Sequence, residues 1–139
     1  SDNEPYLTNS LTRIDTVVKH MMDRGIDPKN LFFLGFSQGA CLTLEYTSRN
    51  ARSYGGIIAF TGGLIGQYLE VTRYRGDFNQ TPIFIGSSDF DPHVPEHRIA
   101  ESAGIIRDLG GNVKKMIYPG MGHTINQDEI DHATAILKA

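Results

Sequence analysis

Leu7, Leu11, Ile14, Val18 and Met21 recur at spacings of four and three near the start of the chain. That period lays one apolar stripe along an α-helix, and Gly25 ends it. Asp27-Pro28-Lys29-Asn30 reads as a turn. The pattern then changes. Residues 31–36 are apolar throughout, as expected of a parallel strand buried on both faces. A helix is predicted over 38–49. Gly56-Ile57-Ile58-Ala59-Phe60 and Pro82-Ile83-Phe84-Ile85-Gly86 are two more buried strands, and residues 113–118 a fourth. A helix over 96–109 turns Ile99, Ala103 and Ile106 inward and stops at Gly110-Gly111; a last helix covers 127–137. Residues 61–80, irregular and rich in glycine and tyrosine, read as a loop or a cap over a pocket.

Strands alternating with helices predict an α/β domain: a mostly parallel sheet with helices on its faces, joined by right-handed crossovers. The 139 residues are enough for one domain with its own core, and no repeat, linker or low-complexity tract divides them. Forty per cent hydrophobic and 21% charged residues are ordinary for a water-soluble chain. A net charge of −3 gives no basic field for nucleic acid or anionic membrane, and no apolar run reaches the length of a membrane span. The single cysteine, Cys41, rules out an internal disulfide framework and fits a reducing, cytoplasmic setting. Ser1 in place of a methionine leaves a removed signal peptide open. Asn79-Gln80-Thr81 matches a glycosylation sequon by chance.

In open α/β sheets chemistry gathers at the carboxyl ends of the strands. Three predicted ends carry it here. The first strand runs into Gly35-Phe36-Ser37-Gln38-Gly39 and then a helix, the context of a nucleophile elbow. The flanking glycines leave room for so tight a turn. The third strand is followed by Asp89-Phe90-Asp91-Pro92-His93-Val94-Pro95, the fourth by Pro119-Gly120-Met121-Gly122-His123. Serine, acid and base follow in that order. A hydroxyl needs a base to become a nucleophile, imidazole titrates near neutrality, and a carboxylate fixes the imidazole's tautomer.

These three segments resemble the phospholipase/carboxylesterase branch of the α/β-hydrolases, which includes acyl-protein thioesterases and small bacterial carboxylesterases. The resemblance spans nearly the whole chain. It implies Ser37 as nucleophile, Asp91 as acid and His123 as base, with the Gln38 backbone N–H as one oxyanion donor. It also places Gly62, Leu64 and Val94 beside the substrate pocket. The implied reaction is hydrolysis of a carboxylic ester or a thioester through an acyl-enzyme, without cofactor or metal. Asp89, two residues from Asp91, is the competing acid and is read as a loop stabiliser. Asp89, Asp91 and His93 match no zinc or calcium signature. Cys41 reads as packing, and His20, His97 and His132 as surface residues. Arg73-Tyr74-Arg75 reads as a solvated loop.

One family feature is absent. No His-Gly-x-Gly-type segment precedes Ser37, so the second oxyanion donor and the N-terminal strands are expected in an upstream segment of a longer protein. An N-terminally incomplete α/β-hydrolase domain over 1–139 is expected to be inactive or very weak alone, since losing one oxyanion donor costs about 100- to 1000-fold. An exposed apolar face near Leu64 would point to a homodimer or a lipid-facing surface. The rival readings are a non-catalytic binding module, and a serine peptidase or acyltransferase on the same fold.

Overall fold

The computed structural model describes residues 4–139. Four parallel strands, β1 (Phe32–Phe36), β2 (Gly56–Phe60), β3 (Pro82–Ser88) and β4 (Asn112–Tyr118), form one sheet in sequential order. The helices are α1 (Tyr6–Asp23), α2 (Gln38–Arg49), α3 (Glu96–Asp108) and α4 (Gln127–Lys138). Crossovers of one hand between strands laid down in one direction put their helices on one face. Accordingly, α2 and α3 pack on one side of the sheet, with α1 against α2, while α4 crosses to the other. Alternation along each strand fills both layers. Ile57, Ala59, Ile83 and Ile85 face the α2–α3 core, and Ile58, Phe60 and Phe84 face α4.

The stripe on α1 ends on Met22, which packs on the core. Met21 is 37% exposed. Residues 61–80 are no loose cap. Phe78, Leu64 and Tyr74 are buried there, a 3₁₀ turn spans Val71–Arg73, and the Tyr74 hydroxyl donates to the buried Glu45 carboxylate. His132 is not a plain surface residue either: its ring stacks on Phe84 at 5.0 Å.

The expectation that β1 is buried on both faces does not hold. Phe32, Leu34 and Phe36 are 41%, 55% and 41% exposed. The reason is topological. Among the described residues β1 is an edge strand paired only with β2, and α4 packs mainly over β2 and β3. Phe33, on the other face, is covered by Tyr46 and Tyr54. The β4 edge is different, because Lys114 and Lys115 place charge along it.

Asn126 caps α4 and shares a capping box with Glu129. The Glu129 side chain is fully buried, and its Oε2 lies against Gly86, where any β-carbon would collide with it. Among the described residues Oε2 has no hydrogen-bond partner. Burial pushes this carboxyl upward and the nearby Asp128 charge adds to the effect, against a lowering hydrogen bond from the Asn126 N–H. A raised folded-state pKa means the neutral acid is favoured by folding, so its contribution is present at low pH and lost as pH rises through the folded value. Glu129→Gln keeps an acceptor for Asn126 and abolishes the charge. It should leave Tm unchanged near pH 4 and raise it by about 3 °C at pH 8; a thermal-unfolding series across pH checks this, and an equal shift at both pH values would refute it.

Candidate active site

Ser37 joins β1 to α2 with φ 58° and ψ −116°, a backbone conformation rarely adopted by a residue with a side chain. Both of its main-chain groups are committed. Its N–H donates to Phe60 O at 2.8 Å, and its carbonyl accepts from Cys41 N at 3.1 Å. The helix therefore folds back sharply over the strand. A β-carbon on Gly35 would overlap the Gly39 main chain, so glycine at 35 follows from this turn. The Gln38 N–H opens α2 and has no acceptor within the helix.

The other two predicted side chains converge on Ser37 from the ends of β3 and β4. Ser37 Oγ lies 2.8 Å from His123 Nε2, and His123 Nδ1 lies 2.7 Å from Asp91 Oδ2. The Asp91 side chain is fully buried, whereas His123 is 30% exposed. Burial pushes the Asp91 carboxyl upward, but hydrogen bonds from His123 and from the His93 N–H, with the nearby imidazole charges, outweigh it and hold the group below its ordinary value. An ionised Asp91 can only accept, so His123 Nδ1–H donates to it. Nε2 is then the lone-pair nitrogen that accepts from the Ser37 hydroxyl.

The loop carrying His123 has little regular structure and is tied down by side chains at neighbouring strand ends. Asp89 Oδ1 accepts from Gly120 N at 2.7 Å, and Ser88 Oγ accepts from Gly122 N at 2.9 Å. Thr61 Oγ1 donates to Thr124 O at 3.2 Å. Asp89 thus holds the base loop and stands apart from the imidazole. Ser88 and Thr61 escaped the sequence reading, although both sit where a strand ends. Nothing in the sequence signalled that Thr61, a β-branched residue, has φ 63°.

A cavity of about 450 Å³ opens beside Ser37. Leu64 and Val94 line it, with Leu42 and Ile65. Gly62 stands behind this wall: a β-carbon there would press on Ala40 and the Ser37 carbonyl, while Gly63 reaches the cavity. Leu64 itself is only 2% exposed, whereas Phe32, Leu34 and Phe36 form a bare apolar stripe on β1. Cys41 also lines the cavity, and burial pushes its thiol upward, away from nucleophilic character. His97, on the rim, and His93, whose ring meets His123 edge-on at 5.1 Å, complete the polar side. No group of histidine, cysteine and carboxylate side chains suited to a metal ion occurs among the described residues.

Residues 1–139 match the family model described as phospholipase/carboxylesterase. Acyl-protein thioesterase 1 of Saccharomyces cerevisiae is 33% identical over 144 residues, covering 99% of this chain and 61% of the yeast protein. A phospholipase/carboxylesterase from Dyadobacter fermentans superposes with a TM-score of 0.95 at 51% identity, over 99% of this chain and 66% of that one. A Bacillus cereus carboxylesterase has a TM-score of 0.77 at 14% identity, over 95% of this chain and 60% of that one, a likeness of fold alone. The chain thus spans about three fifths of the yeast protein's length.

Proposed function

We infer, from a chain that belongs to the phospholipase/carboxylesterase family, that the intact protein hydrolyses carboxylic esters or thioesters through an acyl-enzyme on Ser37. The observation that carries this reading is the continuous relay from Ser37 Oγ through His123 to Asp91, with links of 2.8 Å and 2.7 Å. In the first half-reaction His123 Nε2 takes the hydroxyl proton as Ser37 Oγ attacks the carbonyl carbon. The imidazolium that forms is stabilised by Asp91, and the oxyanion by the Gln38 N–H at the positive end of α2. His123 then returns the proton to the departing alcohol or thiol. Water, activated by the same imidazole, releases the acid and frees Ser37. The apolar cavity beside Ser37 takes the acyl group, with Leu64 and Val94 in its wall.

Labelling of the full-length protein by a fluorophosphonate, with turnover measured on matched ester, thioester and peptide substrates, tests this. A single adduct with ester or thioester turnover is expected. Labelling with turnover of peptides alone would replace the reading by a peptidase, and neither labelling nor turnover would end it. No helix is long and apolar enough to cross a membrane among the described residues, and the single cysteine supports a reducing, cytoplasmic setting.

The bare stripe Phe32–Leu34–Phe36 on an unpaired edge supports a second element of the proposal. Further segments of the same protein extend the sheet beyond β1, cover this stripe from the α4 face and bring the second oxyanion donor. Leu34→Lys separates the possibilities. In the 139-residue chain it should change stability by less than about 0.5 kcal/mol, because Leu34 is already 55% exposed. In the longer protein it should cost about 2–4 kcal/mol by burying a charge. Urea unfolding of both forms gives the comparison. Equal, small effects would overturn the covering segment, and a concentration-dependent effect in the short chain would assign the stripe to a homodimer.

A further inference from the structure

Gly63, Leu64 and Ile65 line the cavity, and the stretch from Gly63 to Gln67 has neither helix nor strand. Five of its backbone polar groups are held by side chains from two helices. Glu45, fully buried on α2, accepts from Ile65 N at 2.8 Å through Oε1, which also accepts from the Tyr74 hydroxyl at 2.9 Å. Its Oε2 is held by Arg49 Nε at 2.7 Å. From α3, buried Ser102 accepts from Leu64 N at 2.9 Å and donates to Arg98 O at 2.7 Å. The Arg98 guanidinium donates to Leu64 O at 3.2 Å, to Gly66 O and to Gln67 O at 3.0 Å. Side chains from one turn of α2 and two successive turns of α3 thus grip five backbone groups on four residues, Leu64 to Gln67.

The charges in this grip are spent locally. Glu45 pairs with Arg49, and Arg98 Nε faces Glu101 at 3.2 Å. Arg98 lines the cavity yet aims its donors at carbonyls, so the space keeps an apolar wall of Leu64 and Ile65 despite the arginine. A wall fixed by largely part-buried hydrogen bonds, most of them to charged side chains, cannot yield to a larger ligand without leaving them unmade, and each costs about 1–3 kcal/mol to break.

We propose that Arg98, Ser102 and Glu45 are specificity-determining positioning residues: they hold the Gly63–Gln67 wall rigid and so set which acyl groups the cavity accepts. This rests on the hydrolase reading above. None of the three touches the reacting atoms. Their loss acts on the fit of the acyl group and leaves the chemistry of the relay intact.

The test uses the full-length protein and p-nitrophenyl esters from acetate to dodecanoate. Arg98→Ala should shift the octanoate-to-acetate ratio of kcat/KM about 10-fold, mainly through KM. Arg98→Lys, which keeps a donor for the carbonyls, should recover part of the selectivity, and Ser102→Ala should shift it in the same direction. Amide hydrogen exchange at residues 64–67 gives a readout independent of turnover: it should speed up at least about 10-fold in Arg98→Ala. An active wild type whose variants keep their chain-length profile, or an unchanged exchange rate, overturns this inference and spares the hydrolase reading. A wild type inactive on every ester and thioester overturns the hydrolase reading, and this inference with it.

Discussion

Alanine at position 37 is expected to abolish covalent labelling by a fluorophosphonate and to lower kcat of the full-length protein by about 10⁴- to 10⁶-fold, with the fold intact. The size follows from what Ser37 Oγ does in the proposed reaction. It is the atom that forms the acyl bond, and no other hydroxyl is held 2.8 Å from His123 Nε2 among the described residues. Cys41, a helical turn further on, is no substitute, because burial disfavours its thiolate. Alanine retains a β-carbon, so the turn at φ 58° stays as strained as before and Tm should move little. Groups that act as one relay are grossly non-additive. The double variant Ser37→Ala, His123→Ala should therefore be no slower than Ser37→Ala alone. Turnover by Ser37→Ala within about tenfold of the wild type would remove Ser37 from the chemistry.

The second large effect separates two aspartates that lie two residues apart. Asp91→Asn should lower kcat by about 10⁴-fold, because an amide at this position can donate to Nδ1 and would stabilise the tautomer with its proton on Nε2, which cannot accept from Ser37. Asp89→Asn should cost no more than about tenfold, because Asn can still accept the Gly120 N–H through its side-chain carbonyl. Steady-state kinetics of both variants decide it, and a reversed ranking would transfer the acid's role to Asp89. The same contacts have a stability consequence. The folded-state pKa of Asp91 is depressed, so its contribution is present above the unfolded carboxyl value and lost as pH falls through the folded one. Asp91→Asn should abolish that part of the acid destabilisation.

The elements were largely legible because each rests on a local signal. Short continuous apolar runs and period-3.6 apolar patterns follow from buried parallel strands and helix geometry. They located the four strands and four helices, with shifts such as β3 running on to Ser88. The elbow was legible for a similar reason: Gly35 records an approach to the Gly39 main chain so close that a side chain could not replace it, whereas a β-carbon at 39 would meet open space. Contacts between distant segments left no such trace. The Ser88 and Thr61 anchors of the base loop pair residues 34 and 63 positions apart, through hydroxyls that look alike wherever serine or threonine occurs. The grip of Glu45 and Arg98 on the cavity wall was equally silent, since a buried carboxylate and an exposed one are the same letter.

The sequence by itself determined the α/β order and the three segments that carry serine, acid and base, because strand ends and tight turns impose residue types locally. Only the tertiary structure decided which aspartate meets His123, that Gly62 supports the wall without lining it, and that Phe32, Leu34 and Phe36 are bare. Those outcomes depend on where α4 crosses the sheet and how loops from separate strands fold over one another. Such distances are set by packing across the whole domain, and no local pattern of residues encodes them.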